Sequence, residues 1–309
     1  MNIDVPSWLG CPVCQQSLVQ RENSLYCPDD DLSFPLQDGI FRLIPPEQQE
    51  EADAYAEEYR EQREEQGWRS LTAEEMAALP TVPPRGWDKI YWPVRHKSFQ
   101  TLMRWFKQEI DGRSPSLRVV DMGAGVGWLA GRLAMEAGEQ VELVALDLSR
   151  DDAFGLGAAG RLRQELEIPL TLVQGDIERP PFQHKSVDLL IYNASLHYAG
   201  DVVACLASAA TLLRPGGAVV IMDSPISTGP ITAISQPPPG AEAGGETIKE
   251  GRSGRPLANE MVAQALTEAG LDYELTKVGR GLRWQVRQLR MRVFGLAIFE
   301  LPIIIAKRE

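Results

Sequence analysis

The chain has 309 residues, with 31 Lys+Arg against 43 Asp+Glu for a net charge of -12. That acidity argues against a continuous basic surface for nucleic acid, and 44% apolar with 24% charged residues describes a globular chain rather than a disordered one. Its four cysteines are too few for a disulfide scaffold: Cys11, Cys14 and Cys27 crowd the N-terminus and point to metal chemistry, while Cys205 stands alone.

Residues 1–46 carry short apolar runs broken by Cys, Pro, Asp and Gly, and end at Pro45-Pro46, which stops any regular element. MNIDVPSWLG lacks a basic region followed by an apolar run, so no secretory signal is expected. Cys11 and Cys14 form one CxxC knuckle, and Cys27 follows after a hairpin-length gap. A structural zinc centre takes four tetrahedral ligands, and so small a β-rich segment needs a staple to fold. The three cysteines leave one place open. Residues 47–84 form an acidic linker, rich in Glu, Gln and Ala over 47–79, the composition of a solvated helix.

The remaining part, 85–309, opens on GWDKIYWPVRHKSF. From Leu117, apolar β-rich runs alternate with helical patterns: LRVVDM, GWLAGRLAMEAG, VELVALDL, a helix to Glu167, LTLVQGD, VDLLIYN, a helix over 202–213 and AVVIMD. Apolar strands separated by amphipathic helices mark a parallel sheet covered on both faces, so the fold class is α/β, doubly wound. Residues 224–256 are rich in Pro, Gly and small residues and longer than the usual connection, which reads as a lid or a disordered loop. A helix stopped by Gly270, the strand LDYELTKV, an Arg-rich stretch and the strand LPIIIAKR complete the chain. FGLAIFELPIIIA is shorter than the ~20 residues of a spanning helix and contains Glu300 and Pro302, so a buried strand and a cytoplasmic protein are expected.

VVDMGAGVGW places Asp121, Gly123, Ala124, Gly125 and Gly127 where a buried strand turns into a helix. Glycine lets a ligand approach the main chain there, and the helix N-terminus presents free N–H donors. The spacing GxGxG before Trp128 departs from the GxGxxG of a dinucleotide fold, so hydride transfer loses its main support. Asp147 ends the next strand about 20 residues past Gly127, where a carboxylate either bridges ribose hydroxyls or caps the following helix. Asp176, after the third strand, either meets an exocyclic amine, with apolar Ile177 against a purine, or is a plain turn residue.

In this order DMGAGVG, DLS, GDIERPPF, VDLLIYNASLHY and LLRPGGAVVI, spanning Ser116 to Met222, resemble the class I S-adenosylmethionine (SAM)-dependent methyltransferases, notably the broad type-11 group. The resemblance implies a Rossmann-like, mostly parallel seven-stranded sheet with SAM as cofactor. It implies that Gly123, Gly125 and Gly127, with Ala124 in the same turn, approach the methionine and ribose part and that Asp121 receives the amino group. By the same resemblance Asp147 holds the ribose hydroxyls with Leu148 beside the adenine, Asp176 and Ile177 address the adenine, and the Asn193 backbone lines the methionine side. YNASLHY lies nearest the transferred methyl, and His197 there is either a general base or a residue that packs or caps the next helix. Upstream, Trp87, Tyr91 and Trp92 either offer cation–π contact to the sulfonium, Tyr91 first, or form an aromatic seam.

Residues 11–46 resemble the Trm112-like zinc ribbon, whose CxxC…CxxC pattern is followed by an aromatic, Pro and a DGI turn; Phe34, Pro35, Asp38, Gly39 and Ile40 match that tail. Asp30 then stands where the fourth cysteine would, which makes Cys11, Cys14, Cys27 and Asp30 the implied structural zinc ligands. The ribosomal RNA guanine-N1 methyltransferases are similar in their order of ribbon and methyltransferase domain, with a last histidine ligand that falls on Asp31.

RGLRWQVRQLRMR gathers Arg280, Arg283, Arg287, Arg290 and Arg292 largely on one helical face, with Trp284 and Leu289 available to pack. These arginines either recognise an anionic substrate or an RNA backbone, or pair with the acidic 47–66 segment within the chain or across a homodimer. The expected function is methyl transfer from SAM to an O, N or C nucleophile of a small molecule, with no membrane partner. RNA methylation and a non-catalytic SAM-binding partner module are the alternatives.

Overall fold

The structure, a computed structural model, describes residues 5–85, 91–111, 116–227, 256–276, 278–279, 281–293 and 299–309. Trp87, Arg280 and nearly all of the 224–256 stretch lie outside the described residues. An N-terminal ribbon of β1 (Val19–Arg21), β2 (Ser24–Cys27), β3 (Leu32–Gln37) and β4 (Ile40–Arg42) leads to the helices α1 (Gln49–Glu65), α2 (Ala73–Ala78) and α3 (Tyr91–Ile110). Alternation then sets in with β5 (Leu117–Met122), α4 (Trp128–Ala137), β6 (Val141–Asp147), α5 (Leu156–Glu165), β7 (Thr171–Gln174), β8 (Val187–Asn193), α6 (Val202–Leu212) and β9 (Leu213–Met222). The chain closes with β10 (Ile226–Ser227), β11 (Leu257–Ala258), α7 (Asn259–Glu268), β12 (Leu271–Thr276), α8 (Leu282–Val293), β13 (Phe299–Glu300) and β14 (Ile303–Arg308).

Adjacent residues of β5 explain why its run is apolar on both sides. Val119 faces a core built with Phe99, Phe106, Trp128 and Leu133, whereas Val120 faces one built with Tyr192, Leu206 and Val262. A strand buried on both faces belongs inside a parallel sheet. The expected seven strands run in the order β7-β6-β5-β8-β9-β14-β12. β5 to β9 are mutually parallel, and β14 lies antiparallel between β9 and β12.

The sheet does not stop at β7. β4 pairs with β7 in parallel, Ile40 opposite Leu172 and Arg42 opposite Gln174, so the ribbon extends the sheet to eleven strands. Trp8 stacks on Phe182 with ring centroids 5.2 Å apart, and its indole N–H donates to Glu142 Oε2 at 2.7 Å. Gly10 N–H donates to the Pro181 carbonyl at 2.9 Å, and Gln183 N–H to that of Trp8 at 3.1 Å. The ribbon side chains Trp8, Phe34, Phe41 and Leu43 therefore share a core with Val144, Val173 and Phe182. Pro45-Pro46 ends the ribbon's regular structure without ending its packing.

The linker is helical, as its composition predicts, but it is not a solvated spacer. Ala52 is buried, Arg150 reaches Asp53 at 3.7 Å, and Arg60 reaches Asp151 at 3.9 Å. α1 ends before Gly67, whose φ of +77° suits glycine, and α2 restarts from a capping box between Thr72 and Glu75.

One cooperative unit follows from the shared core. Trp8→Ala should cost about 3–5 kcal/mol and lower the melting of ribbon and α/β sheet together in one calorimetric transition. A ribbon that melts separately would contradict the shared core.

Candidate functional site

The carboxyl ends of the parallel strands present a row of polar side chains: Asp176 after β7, Asp147 on β6, Asp121 on β5, Asn193 on β8 and Asp223 after β9. From β5 the chain winds outward through β6 to β7 and then returns to place β8 on the other side of β5. That switch point opens the crevice in which doubly wound sheets take ligands. The turn after β5 is shaped by packing as well as by φ. Gly123, at φ +75°, has no room for a Cβ, which would stand 2.6 Å from the Ser195 Cβ. At Gly125, φ +54°, the nearest atom to such a Cβ is the Phe154 carbonyl oxygen at 3.7 Å, so the main chain there is open to a ligand. Gly127 caps α4 at φ +71°, and Ala124 is buried in the same turn.

Asp121 is buried; its Oδ2 accepts from Ala130 N–H at 3.2 Å, while Oδ1 has no partner. Burial pushes its carboxyl up to about 7, and neighbouring Asp147 adds to the shift. Asp147 accepts the Gly125 N–H at 2.7 Å on one oxygen and the Ser149 N–H at 2.8 Å on the other, yet burial still raises it to about 6. It does not cap the next helix, because α5 starts at Leu156 from Gly155. The Asn193 Oδ1, at the carboxyl end of β8, is buried without a partner. Ile177 lies beside Gly123, with Cγ2 3.8 Å from where a Cβ would stand.

Asp176 Oδ1 accepts the Glu178 N–H at 2.9 Å, the turn geometry of a short Asp loop, and the same residue lines a cavity of about 240 Å3 with Leu148. The other wall comes from Ile44, Gln48, Ala52 and Tyr55, all N-terminal to the sheet domain. A relay crosses the same seam: Arg42 Nε donates to Gln174 Oε1 at 3.1 Å, and Gln174 Nε2 donates to the Leu148 carbonyl at 3.1 Å. Composition holds no hint of these contributions from β4 and α1.

His197 sits in a short turn after β8, with Nδ1 3.3 Å from Ser224 Oγ and its ring 4.4 Å from Tyr198. Arg63 of α1 donates to the Tyr198 hydroxyl at 2.9 Å and lies over the Tyr59 ring at 4.6 Å. Burial, with Arg95 and Arg63 adding repulsion, pushes the imidazole down to about 3, so it is neutral near pH 7. It does not cap α6; Asp201 does, accepting from Ala204 N–H at 3.0 Å. Tyr91 joins an aromatic seam, 5.9 Å from Trp284 and 6.5 Å from Phe299, and Trp92 packs 6.4 Å from Trp128.

The ribbon brings Cys11, Cys14, Cys27 and Asp30 together with all ligand atoms within 4.8 Å of one another. Asp30 Oδ2 accepts from Cys11 Sγ at 3.1 Å and from Cys27 Sγ at 3.3 Å, and the Cys14 and Cys27 sulfurs are 3.6 Å apart. Asp31 is turned away at φ +53° and accepts the Tyr26 hydroxyl at 2.7 Å, so Asp30 is the aspartate that completes the cluster. Burial raises the Cys11 thiol and takes Cys14 up to about 11. Thiolates at those positions need a cation, and three sulfurs with one carboxylate are a donor set that fits zinc.

Within the chain, Arg287, Arg290 and Arg292 make no ion pair with the acidic linker among the described residues. The linker meets the sheet domain through other pairs, Asp53 with Arg150 and Arg60 with Asp151, while Arg287 of α8 lies over the Tyr91 ring at 4.9 Å. Trp284 packs as expected, but Leu289 is exposed.

Residues 120–221 match the family model described as a methyltransferase domain, and residues 8–39 match that of Trm112p-like proteins. The ubiquinone/menaquinone biosynthesis C-methyltransferase UbiE of Rhizobium leguminosarum is 27% identical over 111 residues, 36% of this chain and 43% of that protein. Its counterpart from Coxiella burnetii is 28% identical over 118 residues, 38% of this chain and 47% of that protein. The chain thus spans less than half the length of these curated relatives. The crystal structure of geranyl diphosphate C-methyltransferase from Streptomyces coelicolor A3(2), in complex with Mg2+, geranyl-S-thiolodiphosphate and S-adenosyl-L-homocysteine, shares the fold. It is 17% identical with a TM-score of 0.52, covering 69% of this chain and 76% of that one. Among the described residues no helix is long and apolar enough to cross a membrane.

The two neighbouring aspartates separate cleanly by experiment. Asp30→Ala should strip the purified protein of most of its zinc, measured by plasma mass spectrometry, whereas Asp31→Ala should keep it. Equal zinc in both variants would remove Asp30 from the centre.

Proposed function

Because the chain carries a class I methyltransferase domain behind a Trm112p-like ribbon, we propose that it transfers a methyl group from SAM to a small molecule. The carrying observation is the pair of buried, unpartnered acceptors, Asp121 Oδ1 and Asn193 Oδ1, on adjacent strands at the switch point. Buried acceptors without donors are costly, and a cationic amino group supplies the missing donors. Asp147 keeps lone pairs for ribose hydroxyls beyond its two backbone bonds. The cavity between Leu148, Asp176 and Tyr55 receives the adenine, with Ile177 beside the glycine turn.

SAM, when bound, supplies an activated methyl on a sulfonium. The protein's part is to align the acceptor for in-line displacement and to exclude water. His197, neutral and tied to Ser224, orients the acceptor end rather than removing a proton, since a base held near 3 is too weak at neutral pH. Among O, N and C acceptors we place carbon first, because the curated relatives are named as C-methyltransferases. We place the enzyme in the cytoplasm, where thiolate zinc ligands stay reduced.

Two measurements test this reading. Calorimetric titration should show SAM binding, weakened at least about tenfold by Asp147→Ala, which removes a hydrogen-bonding charge; no binding below about millimolar would defeat the proposal. A radiolabelled-methyl assay on cell extract should put label in the small-molecule fraction, and label chiefly in RNA would replace the acceptor class. His197→Ala should lower turnover by less than the roughly hundredfold loss expected of a general base.

The pH dependence has a definite sign. Burial raises the Asp121 and Asp147 carboxyls to about 7 and about 6. Their folded values exceed the unfolded ones, so their stability contribution is full below about pH 4 and is lost as pH rises through 6–7. A cationic ligand favours the ionised carboxylates, so SAM affinity should increase from pH 5.5 to 8, roughly spanning these titrations, with proton release visible in buffers of different ionisation enthalpy. Affinity that falls with pH would exclude these two groups as its source.

A further inference from the structure

α8 places Leu282, Val286, Leu289 and Val293 at spacings of four, three and four residues, which aligns them in one stripe. The opposite side is anchored by Trp284, buried with Val94, Phe299 and Leu301. The stripe faces solvent: Leu282 is 76% exposed, Val286 45%, Leu289 62% and Val293 73%. Scattered apolar residues on a surface are ordinary, but four on one helical line are a contact surface. Exposed Arg290 and Arg292 border the stripe, and half-buried Arg287 lies behind it. The helix has four arginines and no acidic residue, in a chain of net charge -12. Among the described residues no ion pair neutralises Arg287, Arg290 or Arg292.

We propose that α8 is a peripheral contact for an anionic lipid surface, with the aliphatic stripe at the acyl boundary and the flanking arginines at the headgroup phosphates. This departs from the expectation of no membrane partner, which rested on the lack of a spanning segment. The choice of occupant follows from the two chemistries found together. RNA would engage the arginines but leave Leu and Val in water, since aliphatic side chains do not stack on bases as aromatic ones do. A second copy of α8 would set like charges against each other. A bilayer offers an apolar layer directly beneath phosphates. The acidic remainder of the chain is repelled by the same surface, which orients α8 towards it.

The test uses full-length protein with vesicles of phosphatidylcholine alone or mixed with phosphatidylglycerol, read by co-sedimentation without SAM or acceptor, so that its outcome is independent of methyl transfer. Binding should be at least about tenfold tighter to the anionic vesicles and fall about fivefold for each of Arg290→Gln and Arg292→Gln. The double change Leu282→Ser and Leu289→Ser should abolish it with unchanged melting temperature, since both residues are exposed. No preference for anionic vesicles, or undiminished binding by the double variant, would overturn the proposal. So would a dimer in sedimentation that the double variant dissolves, or RNA binding that needs the arginines but not the stripe.

Discussion

β4 lies parallel to β7, with Phe41 opposite Val173, and the cavity between Leu148, Asp176 and Tyr55 depends on the main-chain bonds made there. They hold a ribbon with little interior of its own against a sheet that supplies one, through Trp8, Phe41 and Phe182. They also set where the chain re-emerges, placing Ile44 and the start of α1 over Leu148. α1, a 17-residue helix, then carries Tyr55 at the cavity and Arg63 at Tyr198, roughly 12 Å apart along its axis. Moving β4 by one residue would turn Phe41 out of the core and misplace every one of these contacts.

The crevice has two electrostatic ends. Along β6, β5 and β8, buried oxygen acceptors outnumber the donors that satisfy them, and the carboxyls are held well above their ordinary range. At His197 burial holds the imidazole neutral, and the neighbouring Arg95 and Arg63 add to that effect. A cation stabilises the first end and would be unwelcome at the second. The division gives the crevice a direction, with a place for positive charge at one end only.

Much of this was legible in the sequence because it rests on periodicity and turn chemistry. The apolar runs from Leu117 mark strands buried on both faces, and GxGxG marks the turn at the switch point. The β4–β7 pairing has no side-chain signature, since main-chain hydrogen bonds can be made by almost any residues. α1 reads as solvated because its useful face holds one buried alanine with Tyr55, Tyr59 and Arg63, too sparse for an amphipathic pattern. The arginine stretch misleads in a different way. Spacing locates the positive charges, but the aliphatic residues among them pass for packing residues until their exposure is known.

The exchange of sulfur for oxygen at the fourth ligand also alters the chemistry of the ribbon under changing conditions. A carboxylate is a harder donor than a thiolate, so the set Cys11, Cys14, Cys27 and Asp30 discriminates less strongly in favour of soft metals such as Cu(I) than four sulfurs do. An odd number of thiols also cannot be fully consumed by disulfides: oxidation that expels the metal joins two cysteines and leaves the third as a free thiol, open to reversible capping. The ribbon's response to oxidant is therefore set by an aspartate that oxidant cannot touch.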